Sequence, residues 1–277
     1  MSHGNTQRRT YPRNGWEWYF ANYRPLYPES VIDRLARIVG RPCGRVVDIG
    51  CGTGQLSIPL ARRGFRVVGV DRWRGLILEA ERLAGQMVTD VLERPTFVVG
   101  VAEALADVLD GPADAVIFSK SFHWTKRDAA LDAAKAILSP SGPVIVINSK
   151  MRQDEWMRVA MAVAREFTPP SRPFTVDPDQ IPESAASLLR KMGSRRVVER
   201  CLCNMVASLT IDEVVGYWLA MPDCSMDRLG VRADTFIDRL RDTLLRVNKD
   251  GVFDVHESLE ILSVRVGYES DTKGGAP

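Results

Sequence analysis

Apolar and polar positions follow one rhythm up to about residue 150 and another beyond it. In the first part, short β-branched runs, apolar on both faces, alternate with stretches that repeat an apolar residue every third or fourth position. The runs at 45–49 (RVVDI), 66–70 (RVVGV), 96–99, 114–118 (DAVIF) and 143–147 (PVIVI) predict five strands. Residues 56–63, 73–84 (Leu76, Ile77, Ala80 and Leu83 on one face) and 126–138 predict helices between them. A further helix is expected from about Glu29, after Pro28. Strands lacking a polar face belong in a parallel sheet covered on both sides. Their strict alternation with helices predicts a doubly wound α/β sheet.

The second rhythm is more helical. Residues 154–167, 184–192, 210–221 and 233–248 predict helices, 168–182 is rich in proline, and 196–208 and 255–266 read as strands. This half is expected to complete the sheet with two strands and to cap its ligand edge with helices. Residues 270–277 (SDTKGGAP) read as a disordered tail.

Composition narrows the functional classes. Among 277 residues, 37 Lys and Arg face 35 Asp and Glu, a net charge of +2, which argues against a dedicated nucleic-acid binder. Three histidines do not furnish a His-rich metal site, and the five cysteines contain no C-x-x-C, so no metal is expected. The polar first 15 residues lack the apolar core of a signal peptide, and no stretch reaches the roughly 18 apolar residues of a membrane span. A reduced, cytoplasmic protein without a membrane partner is the expectation.

The strongest chemical signal is VVDIGCGTGQ, residues 46–55. A strand runs directly into Gly50-Cys51-Gly52-Thr53-Gly54, and a helix follows. Glycines there let the backbone turn sharply and approach a ligand with no Cβ in the way. Asp71 lies 21 residues after Gly50, at the end of the second strand, where an acid receives ribose hydroxyls. The dinucleotide fingerprint G-x-G-x-x-G/A needs a small residue where Gln55 stands, so that pattern fails. Asp48, two residues before Gly50, would repel a pyrophosphate and attract the ammonium end of S-adenosylmethionine. A nicotinamide dehydrogenase is the outlying alternative.

Several segments, in order, resemble class I S-adenosylmethionine-dependent methyltransferases over roughly residues 23–150. Residues 22–28 (NYRPLYP) resemble the Y-R-P-x-Y-P opening of a large small-molecule subgroup, and 46–55 its glycine-rich motif. Residues 67–71 resemble the strand ending in the ribose-binding acid. Residues 99–105 (VGVAEAL) resemble the adenine-holding motif, and 119–124 (SKSFHW) the segment after the fourth strand. Val101 stands where many relatives carry an acid, which passes the adenine amino group to the backbone or to Glu103.

The resemblance implies a Rossmann-like, doubly wound, mostly parallel seven-stranded sheet with helical cap insertions. It implies one domain over 1–277. Within it, 1–44 would be an N-terminal helical cover, 45–150 the S-adenosylmethionine-binding core, 151–268 the cap plus the last two strands, and 269–277 the tail. The implied cofactor is S-adenosyl-L-methionine, leaving S-adenosyl-L-homocysteine as product. Its expected contacts are Tyr23, Arg24, Asp48, Gly50, Cys51, Gly52, Gly54, Gln55, Asp71, Arg72, Ala102, Glu103, Ser119 and His123. Arg24 would pair with the cofactor carboxylate.

Methyl transfer from a sulfonium is an in-line displacement from an activated donor, so positioning dominates and no metal is needed. His123, beyond the fourth strand, is the candidate proton acceptor; the alternative is that it shapes the loop. Trp16, Tyr19, Trp124, Tyr217 and Trp218 are the candidate lining of the acceptor pocket, with core packing as the alternative. The expected acceptor is a small molecule, specifically an amine of an antibiotic such as an aminoglycoside. The excess of 30 Arg over 7 Lys is compatible with a GC-rich antibiotic producer. The alternatives are O-methylation of a metabolite hydroxyl or carboxylate, tRNA or protein methylation, and a non-catalytic cofactor-binding protein. The sequence does not specify an oligomeric state.

Overall fold

Val46, Val47 and Ile49 make β1 (Arg45–Ile49) the centre of a sheet, because they are buried on both of its faces. β1 pairs in parallel with β2 (Arg66–Asp71) on one side and β4 (Ala115–Ser119) on the other. β3 (Thr96–Val99) lies outside β2, and β5 (Pro143–Met151) outside β4. The last two strands, β6 (Val197–Thr210) and β7 (Val252–Arg265), complete the sheet, with β7 antiparallel between β5 and β6. The order β3-β2-β1-β4-β5-β7-β6 is the Rossmann-like, mostly parallel, seven-stranded sheet expected. This computed structural model describes residues 11–86, 94–168 and 197–265, so the expected 184–192 helix, most of the 168–182 stretch and the tail lie outside the described residues.

The chain builds β1, β2 and β3 outward, then returns across β1 to start β4. Strand order therefore reverses between β1 and β4, a switch point at whose carboxyl ends sheets of this kind bind ligands. Helix α2 (Glu29–Val39) and α3 (Ser57–Arg62) cover one face, with Val31, Ile32, Leu35 and Leu60 against Ile117, Ile145 and Ile261. Helix α5 (Arg127–Ile137) covers the other, packing Leu131 and Ala134 against Val116, Val144 and Leu262. Helix α4 (Arg74–Gln86) lies beside β2 and β3.

A third core makes the cap a rigid platform. It joins α1 (Trp16–Tyr23), α6 (Glu155–Phe167), the helix Ile211–Leu219 and the helix Ala233–Val247 around Phe253 and Val255 of β7. Each fully buried large side chain there contributes about 1.5–3 kcal/mol. The cap helix Ile211–Leu219 begins in a capping box between Thr210 and Glu213, which satisfies two otherwise unpaired backbone donors.

Two elements differ from expectation. Helix α1 was not anticipated, because WEWYFANY carries aromatic residues around most of the helix and shows no period. Strand β5 runs on to Met151, beyond Ile147, because β7 offers hydrogen-bonding partners to the polar residues Asn148, Ser149 and Lys150. Among the described residues no helix is long and apolar enough to cross a membrane, and no group of three His, Cys, Asp or Glu could hold a metal ion.

Candidate active site

The glycine loop lies at that switch point, at the carboxyl end of β1. Gly50 and Cys51 both donate to the carbonyl of Val70, at 2.7 and 3.2 Å, which ties the loop to the end of β2. Gly50 has φ +68°, and a Cβ there would overlap Ser121 in the loop after β4, so only glycine fits. Gly52 (φ +57°) lies under the Phe20 ring of α1, 3.4 Å from where a Cβ would stand. The loop is thus clamped between β4's edge and the N-terminal helix.

Two buried carboxylates flank it. Asp71 accepts from the backbone N–H of Gly52 at 3.0 Å and of Trp73 at 2.9 Å. Burial pushes its carboxyl above the ordinary value, against the pull of those same donors. Two oxygens offer about four acceptor sites, so capacity remains for ligand hydroxyls. Asp48 accepts from the Ser57 hydroxyl at 2.6 Å through one oxygen; its other oxygen, Oδ1, is buried without a partner. Burial raises Asp48 to about 7, with Ser57 opposing and Asp71 adding to the rise. A buried acceptor left unsatisfied is costly. A ligand bringing an ammonium and vicinal hydroxyls meets both carboxylates' needs, so these residues fit S-adenosylmethionine. Cys51 is buried and burial holds its thiol protonated, which leaves it a small packing residue rather than a nucleophile.

Arg24 directly follows α1 and packs against the cap. Its guanidinium lies 4.4 Å from the Tyr217 ring centroid and 5.0 Å from that of Phe20, and donates to Met221 Sδ at 2.9 Å. Its Nε is buried without a hydrogen-bond partner. Gln55 donates to the Phe20 carbonyl at 3.4 Å. Tyr23, expected beside the cofactor, instead stacks on Tyr19 and fills the space over Gly216 of the cap helix.

The remaining candidates ring the β2–β4 edge. Trp73 is half exposed, with Trp16 edge-on at 6.1 Å and Arg72 over its ring at 5.4 Å. Ala102 is buried. Glu103 accepts from the Lys126 N–H at 2.6 Å, beside the start of α5, which engages one of its oxygens. Ser119 bonds the Tyr27 hydroxyl at 2.6 Å. His123 stands half buried in a short turn, 5.0 Å from the exposed Trp124 ring. Burial, and then Arg127, push its pKa below the ordinary value, so the imidazole is neutral at neutral pH.

Of the five expected pocket residues, Trp16 and Trp124 stand at the edge. Tyr217 is buried with its ring under Arg24 and its hydroxyl 3.3 Å from Met151 Sδ. Tyr19 and Trp218 are enclosed in the cap core at 0% and 1% exposure, because that core draws in aromatic rings from every helix that builds it.

Sequence reasoning missed Tyr27, Lys120 and Glu257. Lys120 Nζ lies 2.6 Å from Glu257 Oε1 and 5.1 Å from the Tyr27 ring centroid. One signal was readable: Glu257 interrupts the alternating apolar series Phe253, Val255, Leu259, Ile261, which marks a carboxylate facing inward.

Comparison with known proteins agrees with this geometry. Residues 46–142 match the family described as methyltransferase domain. An uncharacterized methyltransferase of Mycobacterium tuberculosis is 30% identical over 136 residues, 49% of this chain and 51% of that protein. Trans-aconitate 2-methyltransferase of Mycobacterium ulcerans is 33% identical over 134 residues, 46% of this chain and 44% of that one. The chain spans about half the length of the curated relatives it matches. In solved structures, the fold is shared with a protein of Anaeromyxobacter dehalogenans described as a type II methyltransferase (TM-score 0.58, 20% identity, 88% of this chain and 98% of that one). It is shared too with an S-adenosylmethionine-dependent methyltransferase of Thiobacillus denitrificans in complex with S-adenosyl-L-homocysteine (TM-score 0.51, 16% identity, 89% and 95%). Over residues 46–142 this chain is therefore similar to methyltransferase domains.

Proposed function

We propose that the protein as a whole is an S-adenosylmethionine-dependent methyltransferase acting on a small molecule, with an amine as acceptor. The observation that carries this reading is the pair of buried carboxylates at the glycine loop, one of them with an unfilled acceptor site. The cofactor supplies a methyl group already activated on a sulfonium, so the chain has to align the acceptor, exclude water and manage one proton. Asp71 receives the ribose hydroxyls and Asp48 faces the ammonium. Arg24 takes the carboxylate through the donor it keeps unpaired. His123, neutral at physiological pH, accepts the proton that an ammonium acceptor must lose before it can attack. The finest form of this reading is an amine of an antibiotic such as an aminoglycoside, supported by the resemblance of residues 22–28 to a small-molecule subgroup.

A second reading, an oxygen acceptor, is favoured by Lys120, a cation at the carboxyl edge of β4 that an ammonium-bearing acceptor would not welcome. Curated relatives named trans-aconitate 2-methyltransferase and ubiquinone biosynthesis O-methyltransferase support it.

The test is transfer of a labelled methyl group to a panel of aminoglycosides, hydroxylated metabolites and carboxylic acids, with products identified by mass. Calorimetry with S-adenosyl-L-homocysteine and with NAD accompanies it. Binding of the first and not the second, with a labelled small molecule, is the expected result. Label found only in RNA or protein would overturn the small-molecule reading.

A further inference from the structure

Side chains from three separate segments meet on the α2 face of the sheet, between the α2 core and the cap core. Tyr27, just before α2, bonds Ser119 at the end of β4. Lys120 follows Ser119 with φ +54°, a left-handed conformation that is unfavourable for a residue with a side chain. From there its ammonium packs over the Tyr27 ring and pairs with Glu257 of β7. The Glu257 side chain is only 8% exposed, and that of Lys120 is 32% exposed.

A contact that served packing alone would not need these features. A buried ion pair gains little over apolar residues of similar volume, and a left-handed non-glycine residue beside a candidate site motivates a functional reading. An ammonium has three donors. Among the described residues Glu257 takes one and the Tyr27 ring covers one side, on a side chain one-third open to solvent. The lysine is also three residues from His123, on the same loop.

We propose that Lys120 recognises the methyl acceptor through an anionic oxygen group, a carboxylate or a phosphate, with Glu257 as the counter-ion that positions the ammonium. The inference rests on the methyltransferase reading and turns its substrate class from polycationic amines toward acceptors bearing an anion.

The experiment uses the full chain saturated with S-adenosyl-L-homocysteine, titrated calorimetrically with citrate, inorganic phosphate and the aminoglycoside kanamycin. Citrate or phosphate is expected to bind the wild type, the one that binds naming the anion. Lys120→Met should weaken that binding roughly tenfold, the loss of one charge-assisted hydrogen bond. Glu257→Gln should strengthen it, because the anion then no longer competes with a carboxylate. S-adenosyl-L-homocysteine affinity should stay within about twofold in both variants, since neither residue contacts the glycine loop. Opposite signs from the two variants are something a purely structural pair would not produce. Lys120→Arg, which keeps the charge, should retain anion binding even if Lys120→Met folds poorly.

Three outcomes overturn the proposal: no anion binding to the wild type, equal binding to wild type and Lys120→Met, or binding of kanamycin that Glu257→Gln weakens. Failure of S-adenosyl-L-homocysteine itself to bind would overturn the methyltransferase reading instead.

Discussion

At the scale of single residues, Asp48 sets a pH dependence whose sign is fixed by burial. Its carboxyl rises from 3.8 to about 7 in the folded chain. Its stabilising contribution is therefore complete below the ordinary carboxylate range and is lost as pH rises from about 4 through about 7. Without cofactor, Asp48→Asn should raise the Tm at pH 8 by about 3 °C or more and change it little at pH 4. On the proposed binding mode, in which ionised Asp48 faces the cofactor's ammonium, the sign reverses once cofactor is bound. S-adenosyl-L-homocysteine should bind more tightly as pH passes 7 in the wild type, and calorimetry on Asp48→Asn should show that dependence flattened. His123 carries the second prediction. His123→Asn should lower kcat on the order of 100-fold, the usual worth of a positioned base. The wild-type acid limb should fall below the ordinary imidazole range, as its burial dictates. A loss under about threefold at saturating acceptor would leave His123 with only a shaping role.

At the scale of elements, the contact between α1 and the cap helix decides how Arg24 is presented. A Cβ on Gly216 would overlap the Tyr23 ring, so Gly216→Ala must push α1 away. The expected cost is about 1–3 kcal/mol in urea unfolding, with weaker S-adenosyl-L-homocysteine binding because Arg24 follows Tyr23 directly. Unchanged cofactor affinity would mean that α1 does not hold the site. Thr210→Ala, which removes the capping box of the same helix, should cost about 1 kcal/mol. The elements legible in the sequence were those whose apolar pattern survives in isolation, among them β1, β2, β4, α4, α5 and the helix Ala233–Val247. Helix α1 was hidden because its aromatics face the glycine loop, α4 and the cap at once. The end of β5 was hidden because its polar residues are strand only through β7.

At the scale of the molecule, β7 is the element that joins the parts. Its Leu259 and Ile261 belong to the core under α2, while Phe253 and Val255 belong to the cap core, with Glu257 between them. Cap and sheet should therefore unfold together. Phe236→Ala, far from the glycine loop in the cap core, should cost about 3–5 kcal/mol in a single transition reported alike by fluorescence and circular dichroism. Two separated transitions would contradict the shared strand. The polar seam of Tyr27, Lys120 and Glu257 sits where these two cores meet.

What the sequence determined by itself was local. Strand and helix follow from the spacing of apolar residues, and the glycine loop from backbone angles that only glycine takes readily. The expectation that Asp71 faces a ribose follows from its place at the end of the next strand. The tertiary structure decided everything that joins distant segments. Tyr27 and Ser119 are 92 residues apart, and Arg24 and Met221 are 197 apart. Such contacts leave no local pattern, because they depend on strand order and on β7 lying reversed between β5 and β6. The glycine loop could thus be read from a short stretch of chain, whereas the seam of Tyr27, Lys120 and Glu257 exists only once the sheet has brought β4, β7 and the segment before α2 together.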